Sequence, residues 1–88
     1  MGKIEKTLLK ILSGTSDSNL PFRDLCRVMA ALGFSCRIKG SHHIFFRDGV
    51  EEIFNLQPRG SKAKAYQVKQ IRQMILKYRL GGSLHEQV

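Results

Sequence analysis

Ile4, Leu8 and Ile11 fall on one stripe, with Leu12 beside it and Lys3, Lys6 and Lys10 on the other side. That is the 3.6-residue period of an amphipathic helix, so the spacing predicts a short helix over 3–13 ended by Gly14. The polar run Thr15-Ser16-Asp17-Ser18-Asn19 breaks the period and reads as a linker. A second helix is expected from Pro21, a favoured first helical position, to Leu32, burying Phe22, Leu25, Met29 and Leu32. Gly33 is placed to take the left-handed conformation that ends a helix, with Phe34 covering the turn.

From Phe34 the period drops to two: Phe34, Cys36 and Ile38 alternate with Ser35, Arg37 and Lys39. Gly40-Ser41 and Asp48-Gly49 read as two-residue hairpin turns, which gives three antiparallel strands near 34–39, 42–47 and 50–57. Pro58-Arg59-Gly60-Ser61 is expected to end the sheet. Residues 64–79 then resume a helical period, with Val68, Ile71, Ile75 and Tyr78 on one side and Lys69, Arg72 and Lys77 elsewhere. Residues 81–88 read as a loose tail.

Turn length decides which side chains share a face. Two tight turns set Lys39 opposite His42, Arg37 opposite Ile44, Phe46 opposite Glu51, Ile44 opposite Ile53 and His42 opposite Asn55. One face then carries Arg37, Lys39, His42, Ile44, Phe46, Ile53 and Asn55. The other carries Phe34, Cys36, Ile38, His43, Phe45, Val50, Phe54 and Leu56, the more continuously apolar set and the one for helices to cover. The adjacent histidines part: His42 stands among bases and His43 faces the helices. The expected fold is α+β, a three-stranded antiparallel sheet with helices on one face plus an extra N-terminal helix, the order of a double-stranded-RNA-binding domain. It divides into an N-terminal helical extension and linker (1–19), a main domain (20–80) and a tail (81–88).

Charge narrows the partners. Fifteen Lys and Arg against seven Asp and Glu give a net +8 in 88 residues, which points first to nucleic acid and second to an acidic protein or an anionic membrane surface. No acidic residue lies between Glu52 and Glu86, whereas Arg59, Lys62, Lys64, Lys69, Arg72, Lys77 and Arg79 all do. Cys26 and Cys36 are too few for a disulfide framework or a zinc site, and both are expected as reduced core residues. No apolar run is long enough to span a bilayer and no signal peptide opens the chain, so no membrane role and a cytoplasmic location are expected.

The residues also carry a resemblance. A helix ending in Leu32-Gly33-Phe34, a basic strand, Gly40-Ser41-His42-His43-Ile44-Phe45, a short hairpin, a third strand running into a basic loop, and a Val-x-x-Ile-x-x-x-Ile helix resemble the HicA toxin family over roughly residues 20–80. That resemblance implies a small messenger-RNA interferase with a double-stranded-RNA-binding-domain-like fold, held by a HicB-like antitoxin that covers its active site. No cofactor or metal is expected, since a nuclease that uses the RNA 2′-hydroxyl needs none. The family's catalytic histidine, the one directly after Gly-Ser, transfers to His42. Compact family members often carry Pro-His near the end of the third strand, where this chain has Gln57-Pro58-Arg59, and they commonly begin at the second helix, so residues 1–19 are an extension.

The chemistry is consistent with that role. RNA carries its own nucleophile, the 2′-hydroxyl, so cleavage requires a base, alignment, and stabilisation of charge on the phosphate. His42 is the candidate base; Arg37 and Lys39, with Gly40 and Ser41 in the turn, and Arg59, Lys62, Lys64 and Lys69 around the start of the last helix, are the candidate RNA contacts. No clear general acid is present. Phe46 and Ile44 on the open face suit base stacking or an antitoxin contact, unless residues 1–13 fold over them. The alternatives are a non-catalytic RNA-binding module of the same fold, and a domain whose apolar open face docks an acidic protein. Oligomeric state is not legible.

Overall fold

The computed structural model describes residues 2–82. Helix α1 (Lys3–Ser13) ends at Gly14, which adopts the left-handed conformation (φ 72°) and returns its N–H to the Lys10 carbonyl. A 3-10 turn at Asp17–Asn19 leads into α2 (Phe22–Ala31). Strands β1 (Ser35–Lys39), β2 (His42–Arg47) and β3 (Val50–Leu56) form an antiparallel sheet in that order. Two short strands follow, β4 (Pro58–Arg59) and β5 (Lys62–Ala63), and then α3 (Ala65–Tyr78). The architecture is α+β, with a three-stranded antiparallel sheet and its helices on one face.

The core lies between sheet and helices. Phe45, Phe54 and Leu56 from the sheet meet Leu25, Val28 and Met29 of α2 and Val68, Ile71 and Ile75 of α3 in one buried cluster. Each such side chain removed from water contributes about 1.5–3 kcal/mol before conformational entropy is counted. Helix α1 does not fold over the open sheet face. It lies in the helical layer, where Leu8 and Ile11 are fully buried among the residues of that same cluster.

A cation of α3 ties that extension down. Arg72 of α3 donates to both carboxylate oxygens of Asp17 (2.9 and 3.1 Å) and to the Ile11 carbonyl (3.0 Å), one of the acceptors left over at a helix C-terminus. Asp17 raises the Arg72 guanidinium further above its usual range. Arg72 is therefore not part of a free basic surface. Neither is Lys77, bonded to Glu52 at 3.0 Å; Glu52 also accepts from the Tyr78 hydroxyl, and these two contacts hold its carboxyl below the usual range.

Several expectations are corrected. Pro21 precedes α2 as its cap, because its extended backbone (ψ 134°) bridges Lys62 of β5. Pro58-Arg59-Gly60-Ser61 is no loop: it builds the β4–β5 hairpin, pinned to the entry of α2 when Phe22 N–H donates to Ser61 and Ala63 N–H donates to Leu20. Cys36 is exposed, and Ile38, 64% exposed, is no core residue either. Both point to the helical side, but β1 is an edge strand and all five of its residues are exposed.

The second hairpin departs from ideal register. Arg47 pairs with Val50, so the Asp48-Gly49 turn has two residues, yet Phe45 pairs with Phe54, Ile44 with Asn55 and His43 with Leu56. Glu51, Glu52 and Ile53 thus stand against the single residue Phe46. This bulge shifts the pairing by two, an even number, so every side chain keeps its face.

The tail expected over 81–88 lies outside the described residues from 83 onward. Gly81 is buried, and a Cβ there would meet Leu8 Cδ2 at 3.1 Å.

Candidate active site and RNA interface

The turn between β1 and β2 needs Gly40, whose φ of 61° side chains disfavour, and it pairs Lys39 with His42. The open face it begins carries Arg37, Lys39, His42, Ile44, Phe46, Ile53 and Asn55, none of them buried. Ile53 is 68% exposed, and the Arg37 guanidinium lies over the Phe46 ring at 5.8 Å. The face is thus cationic with apolar islands.

His42 is exposed, and its Nδ1 lies 2.9 Å from Asn55 Oδ1. A carboxamide oxygen only accepts, so Nδ1 carries the proton and donates. In the neutral ring Nε2 then holds the lone pair through which imidazole acts as a base. His43 points the other way. Its ring packs nearly perpendicular to that of Phe22, with centroids 4.9 Å apart, and its Nδ1 lies 3.3 Å from the Ser41 carbonyl, so it serves the packing of strand on helix. Among the described residues no group of three or more His, Cys, Asp and Glu side chains is arranged to hold a metal ion.

A polar relay runs from the turn to α3. Ser41 Oγ accepts from Gln57 Nε2 at 3.0 Å, and Gln57 Oε1 accepts from Lys64 Nζ at 3.5 Å. Gln57 is positioned by Gln67, a buried residue of α3; in the amide orientation that satisfies both of its polar atoms, Gln67 accepts from the Gln57 N–H (3.2 Å) and donates to the Gln57 carbonyl (3.1 Å). The amide imitates a neighbouring strand where β3 runs out, which leaves its own buried polar atoms satisfied. Ser41 and Lys64, far apart in sequence, are joined this way; Gln57 and Gln67 are the site residues that period and charge did not reveal. Asn55, by contrast, was recoverable from strand parity.

Beyond the relay lies a groove of about 890 Å³ lined by Gln57, Pro58, Arg59, Lys62, Lys64 and Tyr66, among others. The Lys62 ammonium also bonds Asn19. Lys69 is exposed further along α3 and does not line this groove. On the helical side, a second groove of about 640 Å³ has His43, Phe22 and Cys26 in its wall. Burial, reinforced by Cys36, pushes the Cys26 thiol up to about 11, which keeps it neutral.

The family model of the HicA toxin of bacterial toxin–antitoxin systems matches residues 22–78, from the first residue of α2 to the last of α3. The chain belongs to the HicA toxin family. No curated protein and no solved structure matches it. As a HicA toxin it is one half of a toxin–antitoxin system, with an antitoxin as partner. The match leaves out α1, which in this HicA toxin is nonetheless packed into the common core. Among the described residues no helix is long and apolar enough to cross a membrane.

Proposed function

We propose that this HicA toxin is a messenger-RNA endoribonuclease that uses His42 as its general base and requires no metal. The observation that supports the reading best is the His42–Asn55 contact. It holds an exposed imidazole with Nδ1 protonated and Nε2 free, on a face with Arg37 and Lys39. Nε2 takes the proton of a ribose 2′-hydroxyl, and the 2′-oxygen bonds to the adjacent phosphorus. The bond from phosphorus to the 5′-oxygen breaks, and that oxygen takes its proton from water. The products are a 2′,3′-cyclic phosphate and a 5′-hydroxyl. Arg37 and Lys39, with the Gly40-Ser41 turn, stabilise the charge that builds on the phosphate oxygens, while Arg59, Lys62, Lys64 and Lys69 hold the flanking backbone.

The antitoxin of this system is a HicB-like protein that covers the open face and shields Ile53 and Phe46. RNA in which the nucleotide before the cleaved bond is 2′-deoxy tests the mechanism. It should bind as tightly as the all-ribose strand and remain uncut. Cutting at that position would rule out the 2′-hydroxyl as nucleophile.

A further inference from the structure

Tyr66 is an unusual residue for its position. It sits in the first turn of α3 and is 57% exposed, yet it lines the groove that opens beyond the relay. No Asp or Glu lines that groove, whereas Arg59, Lys62 and Lys64 do. Lys62 and Lys64 each donate to a neutral amide oxygen, of Asn19 and of Gln57, and none of the three cations is paired with a carboxylate among the described residues, so their charge is available to an anion. Gln57 adds an amide to the wall, its nitrogen donating to Ser41 and its oxygen accepting from Lys64. A phenol ring, three cations and an amide around about 890 Å³ suit a nucleotide better than an apolar peptide, since one wall offers a stacking plane and the rim offers phosphate donors. The groove starts where the catalytic face ends: Ser41, next to His42, bonds Gln57, and Gln57 bonds Lys64.

We propose that this groove is a nucleotide subsite, in which one unpaired base of the RNA flanking the cleaved bond stacks on Tyr66 while its phosphate lies between Lys64 and Arg59. The subsite rests on the RNA-binding part of the function proposed above. It also gives that function a preference: a base in a duplex is already stacked on its neighbours, so only single-stranded RNA can offer one to Tyr66.

The full chain carrying His42→Ala, which leaves the strand uncut, is titrated with a short single-stranded oligoribonucleotide. Added Tyr66→Ala should weaken binding roughly tenfold, as loss of one base stack does, and Tyr66→Phe should restore it. An oligonucleotide with one abasic position in the subsite should bind weakly and should no longer respond to Tyr66→Ala. Tyr66 is exposed, so these variants keep the fold. Unchanged RNA binding by Tyr66→Ala overturns the subsite and leaves the His42 reading intact. Unchanged RNA binding together with weakened antitoxin binding also overturns it, assigning the groove to the protein partner. Conversely, Tyr66-dependent binding alongside an unaltered His42 chain that never cuts RNA supports the subsite and removes the nuclease.

Discussion

His42 Nδ1 lies 2.9 Å from Asn55 Oδ1 although the two are not paired across the strands; Asn55 stands opposite Ile44. The contact is diagonal, made across a sheet whose bulge keeps both side chains on the open face. The Asn55 oxygen takes Nδ1 as its partner and so favours the ring form with the proton on Nδ1, which makes Asn55 the positioning residue for the proposed base.

Replacing Asn55 should therefore affect turnover more than RNA binding. Asn55→Leu removes the acceptor and should lower kcat roughly tenfold or more, within the about 10²–10⁴-fold that general-base catalysis supplies. Asn55→Asp retains an acceptor and should restore most of the rate. Cleavage kinetics with KM determined separately checks both, and equal losses for Leu and Asp would remove the orienting role.

Arg72 joins α3 to both the 3-10 turn and the end of α1. Its charged hydrogen bonds are partly screened, since the side chain is 20% exposed, so Arg72→Met should cost about 1–3 kcal/mol in urea unfolding. Leu8→Ala, which opens a cavity beneath α1, should cost about 2–5 kcal/mol. Two independent transitions, one for residues 3–19 and one for the rest, would contradict a common core.

Glu52 predicts how stability responds to acid. Its carboxyl titrates below the ordinary range because Tyr78 and Lys77 bond the charged form, so its contribution is complete above the unfolded-chain value and is lost as pH falls through the lowered folded value. Lys77, raised mainly by its bond to Glu52, contributes fully below the ordinary lysine range and loses that contribution only as pH climbs past its raised value. The contact is thus intact at neutral pH. Melting temperature should fall more steeply on acidification in the unaltered chain than in Glu52→Gln, and parallel curves would show that the contact does not couple to folding.

Much of this was legible in the sequence because it depends on parity. The helices followed from the 3.6 period, and the division of His42 from His43 followed from two tight turns. The actual register differs by two residues around Phe46, and an even shift moves no side chain to the other face. The β4–β5 hairpin was not legible, since strands of two residues leave no period to read. Alternation placed Cys36 on the helical side but could not say how far along β1 the helices reach. The Gln67 amide that positions Gln57 joins two polar residues ten apart in sequence, which no hydrophobic pattern encodes.

Cleavage by the His42→Ala chain measures the central claim most directly. Purified apart from its antitoxin, it should bind single-stranded RNA as the unaltered protein does, leave the strand uncut, and no longer arrest growth when expressed alone. Cleavage and growth arrest at the unaltered level would contradict the assignment of His42 as the base.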